Sequence, residues 1–277
     1  MTLPNFLVIG AQRSGTTWLD QQLRCHPSIY LPTVRKEVHF FDRYYDRGLD
    51  WYQKFFPPQQ QAHQYSCIGE VTPDYIFYPQ VPELIKKHLP HCKFILILRN
   101  PVDRLYSQYG HAIRTRNYSQ SFAEFIQDKK IFNRSLYGQQ FNRFLQYFPL
   151  ENFLVLVFEE TMQQPETTLR KIANFLDINS NIFGDFDTKY KVNHSYKPRF
   201  KNLYSLTRKC SCWLRQKDLD WVLNYAKILG LSKGIFGAGT PMPKLDDESR
   251  HALILQYEAD IADLENILGR DLSIWRL

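Results

Sequence analysis

The stretch FLVIGAQRSGTTWLDQQL, Phe6 to Leu23, constrains the fold of this chain more than any other. Four apolar residues run into a turn bracketed by Gly10 and Gly15, and a helical pattern follows. A short run that is apolar throughout suits a strand buried on both faces, as in a parallel sheet. Parallel neighbours need crossovers, so helices are expected between strands. Further apolar runs stand at Phe94–Leu98 and Phe153–Phe158, with a weaker one at Cys67–Gly69. Helical patterns precede the two long runs, at Val81–Leu89 and Leu136–Phe148. The clearest helix carries Ile254, Tyr257, Ile261, Leu264 and Leu268 at spacings of three and four, after Asp246-Asp247-Glu248 and before Gly269. The expectation is an α/β fold, a P-loop-type parallel sheet flanked by helices, as a single domain over residues 1–277. The basic, aromatic-rich region from Lys189 to Lys244 reads as loop and short helix.

Composition narrows the setting. With 44% hydrophobic and 23% charged residues in 277, the chain is of the folded globular class, which excludes disordered and collagen-like proteins. A net charge of +7 suggests an anionic partner. Lys and Arg are dispersed with no like-charge block, which argues against a nucleic-acid tail. The five cysteines (Cys25, Cys67, Cys92, Cys210, Cys212) form no CxxC pair and show no metal-like His spacing. Free thiols in a reducing compartment are expected, without zinc. No run approaches 18 apolar residues and no signal-peptide pattern opens the chain, so a cytoplasmic protein without a membrane span is expected. The sequons at Asn117, Asn133 and Asn193 matter only with secretion.

Three motifs carry chemistry. In GAQRSGTT, Gly10 to Thr17, backbone N–H groups and the following helix N-terminus make an anion site. A nucleoside-triphosphatase loop would read GxxxxGK[ST]; here Thr16 stands where its lysine belongs, and Arg13 supplies a cation from inside the loop. The bland reading is a glycine turn without a ligand. In FILILRNPVDRLYSQY, Arg99 ends a strand at the carboxyl edge of the sheet, Asn100 is placed as an N-cap and Pro101 opens the helix. Ser107 lies two turns along, and with Arg99 would hold a second phosphate; a surface ion pair is the alternative for Arg99. In RKEVHFFD, Phe40 and Phe41 as core anchors would place the Glu37 carboxylate in a drier site, raising its pKa toward that of a general base. A Lys36–Glu37 pair can equally be solvated surface.

Together these stretches resemble the superfamily of sulfotransferases that use 3′-phosphoadenylyl sulfate (PAPS), in the branch of the heparan sulfate N- and 3-O-sulfotransferases and their bacterial relatives. GAQRSGTTW, KEVHFFD, GLDWYQKFFP, EVTPDYIFYP, LRNPVDRLYS, SLYGQQFNRFLQYFP and LGRDLSIW carry the likeness, from Phe6 to about Asp177 and again at the end. The resemblance implies transfer of a sulfuryl group from PAPS, without a metal, to a hydroxyl (less readily an amine) of a carbohydrate or other aliphatic alcohol. It assigns Glu37 as base. It places the 5′-phosphosulfate on Arg13, Ser14, Gly15, Thr16, Thr17 and Trp18, and the 3′-phosphate on Arg99 and Ser107. His39 matches a residue beside the acceptor site, in a neutral orienting role or a structural one. The family's EKSP lysine is absent, because Glu70-Val71-Thr72-Pro73 stands there; Lys36 is the substitute. Lys233 and Gly234 resemble the late loop that closes over the nucleotide, with Lys197 and Arg199 as the alternative. A P-loop small-molecule kinase would need the missing lysine and a magnesium ligand. A polyanion-binding protein would leave the paired phosphate motifs as coincidence.

Overall fold

In a computed structural model, β1 (Phe6–Gly10) is buried along its whole length because it has a parallel neighbour on each side. β3 (Cys67–Val71) pairs with it through Leu7↔Glu70, and β4 (Lys93–Leu98) through Val8↔Ile95. β2 (Ile29–Tyr30) and β5 (Phe153–Val157) complete a five-stranded parallel sheet in the order β2-β3-β1-β4-β5. The structure describes residues 2–116, 118–183, 196–197, 210–211, 213–220, 222–223, 225 and 240–276. Two compact units are distinguished: 1–101, 136–190 and 257–277, which holds the sheet, and 102–135 with 191–256.

The α/β fold with a P-loop-type parallel sheet is as expected, and the differences are local. Phe158, read as the end of a strand, opens helix Phe158–Gln163 instead. β2 was not foreseen, since two residues show no period. The helices read from the sequence are present as α1 (Thr16–Arg24), Val81–His88, Tyr137–Leu145 and Asp247–Leu268. Most of the 189–244 region lies outside the described residues. Alternate residues of β4 feed opposite layers. Ile95 and Ile97 pack with Trp18, Leu19 and Leu23 of α1 and Leu169, Ile172 and Ala173 of helix Pro165–Leu176. Phe94 faces Phe144, Phe148 and Phe153, at ring separations of 5.8, 4.7 and 4.8 Å. Burial of each such side chain is worth about 1.5–3 kcal/mol.

In the second unit, helix Pro101–Arg116 contributes Val102 onward. Its Arg104 is fully buried and donates to Ser135 Oγ at 2.5 Å and to the Ile131 carbonyl at 3.2 Å. Among the described residues no helix is long and apolar enough to cross a membrane.

Candidate functional site

The chain leaves β1 through the glycine-bracketed loop. Gly15 sits at φ 94° as the N-cap of α1, and a Cβ there would lie 2.7 Å from Phe158 Cδ2. Gly10 has no room either, since a Cβ would meet Ile76 Cγ2 at 2.6 Å. The loop backbone therefore stays bare, with the first N–H groups of α1 free of intrahelical acceptors. Ser14 is fully buried and its Oγ has no hydrogen-bond partner among the described residues. A buried hydroxyl without a protein partner calls for an explanation, and a ligand seated in this turn would supply one. Thr17 is exposed, Arg13 is half-buried at φ 74°, Thr16 is buried, and Trp18 is buried to 3% exposure within the core.

Arg99 follows β4, and its guanidinium lies over the Phe158 ring at 5.0 Å. That ring is the one packed against Gly15, so one aromatic side chain seats both the loop and Arg99. The turn behind Arg99 is locked from the chain end. Asn100 Nδ2 donates to the Trp275 carbonyl at 2.8 Å, and Glu159 accepts from Asn100 N at 2.9 Å and from Trp275 Nε1 at 3.1 Å. This gives the closing LGRDLSIW stretch a job. Ser107 is half-buried two turns into helix Pro101–Arg116, in the second unit. Lys233, Gly234 and Arg199 lie outside the described residues, and Lys197 is described only as a strand residue.

The RKEVHFFD segment folds back over the loop. Val38, Phe40 and Phe41 are buried, and Phe40 stacks on Tyr52 at 4.4 Å. Glu37 and His39, between these anchors, turn toward one another. Lys36 Nζ donates to Thr17 Oγ1 at 3.1 Å and stands 4.0 Å from Glu37 Oε1. The expected substitute cation thus bridges the loop helix and the carboxylate, while Val71, in the place of the EKSP lysine, is fully buried in the core.

His39 Nε2 lies 3.3 Å from Glu37 Oε2, and its Nδ1 donates to Asp42 Oδ2 at 2.9 Å. Burial opposes a charge on the ring, but hydrogen bonds to Asp42 and Glu37 outweigh it and raise the pKa to about 9. These partners favour the protonated ring, which speaks against the neutral orienting role and leaves the structural one open. Glu37 corrects the sequence reading too. Burial raises its pKa, yet the hydrogen bond from His39 and the charge of Lys36 prevail and hold it below the usual carboxylate value. Its side chain is 36% exposed, so the site is less dry than the two phenylalanines suggested.

Three residues of the cluster were not singled out beforehand. Arg43 Nη2 pairs with Asp74 Oδ2 at 2.6 Å, and its Nε lies 3.5 Å from Asp42. His39, Asp42 and Asp74 have ligand-type atoms within 4.8 Å of one another, but the Arg43 guanidinium is the cation between the two aspartates. Three carboxylates (Glu37, Asp42, Asp74) are matched by three cations (Lys36, His39, Arg43), which lets a dense cluster form without net charge. Asp42 was readable from its position three residues after His39. Asp74, inside EVTPDYIFYP, had no local signal.

The geometry offers an anion cradle and, 4.0 Å from a cation bound to its edge, a carboxylate able to take a proton. The chain is 28% identical over 284 residues to the membrane-associated sulfotransferase kil1 of Dictyostelium discoideum, covering 70% of this chain and 60% of that one. It is 29% identical to the human bifunctional heparan sulfate N-deacetylase/N-sulfotransferase 3, over 99% of this chain and 31% of that protein. It therefore spans 60% or less of the length of these relatives. A crystal structure of a sulfotransferase from Alicyclobacillus acidocaldarius shares the fold, with a TM-score of 0.70, 24% identity and full coverage of both chains. The model of the sulfotransferase domain family matches residues 3–214, and the chain belongs to that family.

Proposed function

We propose that this chain transfers a sulfuryl group from PAPS to a hydroxyl of a carbohydrate or other aliphatic alcohol, with Glu37 as general base. The observation that carries the reading is the position of Lys36 between Thr17 Oγ1, at 3.1 Å, and Glu37 Oε1, at 4.0 Å. One cation thereby ties the anion loop to the base. Arg13, Ser14 and the loop N–H groups would hold the 5′-phosphosulfate, and the orphan Ser14 hydroxyl fits that use. Arg99 would hold the 3′-phosphate, with Ser107 assigned by its motif alone.

PAPS supplies a sulfuryl group whose S–O bond to phosphate breaks as the bond to the acceptor oxygen forms. Glu37 takes the acceptor proton on Oε1, since Oε2 is held by His39. His39, fixed by Asp42, keeps the carboxylate ionised and oriented. Lys36 and the loop N–H groups face the negative charge that shifts onto the leaving phosphate. A glycan acceptor is favoured by the heparan sulfate specificity named for the human relative and by the net charge of +7.

The test pairs binding with turnover. Adenosine 3′,5′-bisphosphate at about 100 times its Kd should stabilise the protein by roughly 2.7 kcal/mol, and ATP with magnesium should not. Glu37→Gln should keep that stabilisation and lose transfer of ³⁵S from PAPS to a desulfated heparan chain. Stabilisation by ATP–magnesium alone would sink the sulfotransferase mechanism in favour of a kinase. Loss of bisphosphate binding in Glu37→Gln would make the residue structural.

A further inference from the structure

In the function proposed above, Arg99 separates PAPS from a nucleotide without a 3′-phosphate, and the residues behind it converge from two strand ends and the end of the chain. β4 and β5 are parallel, with Leu98 level with Val157, so Arg99 and Phe158 leave the sheet at the same edge. The Arg99 guanidinium lies over the Phe158 ring at 5.0 Å. Glu159, the next residue, reaches across to the turn after β4. Its Oε1 accepts from Asn100 N at 2.9 Å, and its Oε2 accepts from Trp275 Nε1 at 3.1 Å. Trp275 closes the triangle, because its carbonyl accepts from Asn100 Nδ2 at 2.8 Å. The residue directly after Arg99 is thus held through both its backbone N–H and its side chain.

Trp275 serves as a fixed post because the chain end is itself anchored. Its side chain is fully buried. The next residue, Arg276, pairs with Glu258 at 2.7 Å and with Glu265 at 2.8 Å. The Glu265 carboxylate also accepts from Leu272 N at 2.7 Å. At the centre of the triangle each oxygen of Glu159 has one donor. A glutamine there would turn an amide NH₂ toward one of those two donors, so the carboxylate is what the geometry requires. An arginine that must recognise a phosphate binds more tightly when it is held in place before the ligand arrives, because ordering it on binding costs affinity.

We propose that Glu159 and Trp275 are positioning residues that set selectivity for a 3′-phosphorylated nucleotide, by holding the turn from which Arg99 reaches that phosphate. This rests on Arg99 being the 3′-phosphate ligand. A nucleoside 5′-phosphate without the 3′ group uses the loop after β1 and makes no demand on Arg99. Loosening the triangle therefore weakens one nucleotide and spares the other, whereas general support of the fold would affect both.

The experiment measures, by calorimetry on the full chain, the Kd for adenosine 3′,5′-bisphosphate and for adenosine 5′-phosphate. It compares the unaltered protein with Glu159→Gln, Trp275→Phe, Arg99→Ala and the Glu159→Gln/Arg99→Ala double variant. Trp275→Phe keeps a ring and the carbonyl while removing the indole donor. In Glu159→Gln and in Trp275→Phe the bisphosphate should bind about 5- to 20-fold more weakly. Adenosine 5′-phosphate should stay within about twofold of its original Kd. Arg99→Ala should erase the preference for the bisphosphate, and adding Glu159→Gln to it should change neither Kd further. Amide hydrogen exchange at Asn100 should quicken in both positioning variants. Equal weakening of the two nucleotides would overturn the proposal by making the pair structural, and so would an unchanged preference in Glu159→Gln. Should Trp275→Phe be too unstable to assay, the isosteric Glu159→Gln decides alone. Equal binding of both nucleotides by the unaltered protein would fail the assignment of Arg99 itself, and the selectivity proposal with it.

Discussion

His39 should carry a positive charge throughout the neutral range, and the structure sets the size of the effect. Its ring lies between Asp42, at 2.9 Å, and Glu37, at 3.3 Å, with 9% of the side chain exposed. These partners overcome the cost of burial and raise the pKa from 6.5 to about 9. Because the folded value lies above the unfolded one, the stabilisation is complete below about 6.5 and is lost as pH rises through about 9. At about 1.4 kcal/mol per tenfold change in proton affinity, that interval amounts to about 3 kcal/mol. The perturbation is His39→Gln, which leaves Asp42 beside the Arg43 guanidinium, with Nε at 3.5 Å. Urea unfolding of both proteins at a series of pH values, from slightly acid to well above the His39 midpoint, gives the margin of the unaltered protein over the variant. That margin should shrink by about 3 kcal/mol across the series. An NMR titration of the ring should find the midpoint near 9. A midpoint near 6.5, or a margin constant with pH, would refute the imidazolium and the role given to it.

Two further substitutions probe the loop. Ser14→Ala removes a buried hydroxyl without a partner among the described residues, so the free protein should keep its stability or gain up to about 1 kcal/mol. Affinity for adenosine 3′,5′-bisphosphate by calorimetry should fall about fivefold, and unchanged affinity would remove Ser14 from the anion site. Gly15→Ala places a Cβ 2.7 Å from Phe158 Cδ2 at a φ of 94°. Unfolding should show a loss of about 1–3 kcal/mol, with weaker bisphosphate binding because the displaced ring also seats Arg99; a variant of unchanged stability would contradict the packing argument.

How much was legible follows from how local each cause is. Phe6–Ile9 and Phe94–Leu98 announce themselves because strands covered on both faces are apolar at every position. Ile29–Tyr30 is too short to show a pattern, and Phe158 is apolar for its packing on Gly15 while its backbone has already turned helical. Lys36, Glu37 and His39 were readable because one segment carries them all. Glu70, Asp74 and Tyr75 also sit in one quoted stretch, but their partners Tyr52, Arg43 and Phe40 are 18, 31 and 35 residues away in sequence. Only the fold, which brings β3 and the turn after it against the segment that follows His39, puts them in contact.

The pKa of Glu37 shows the same division in a single residue. Phe40 and Phe41 do anchor the loop, and burial does act to raise the value, as their sequence position suggests. The net direction is downward because Lys36 and His39 are close to the same carboxylate. A lower pKa makes Glu37 a weaker base, which taken alone would slow proton removal. In the proposed mechanism, Lys36 also touches the loop where charge builds on the leaving phosphate. Basicity is then given up for electrostatic stabilisation at the other end of the reacting axis, in line with a site in which charge placement contributes more than base strength.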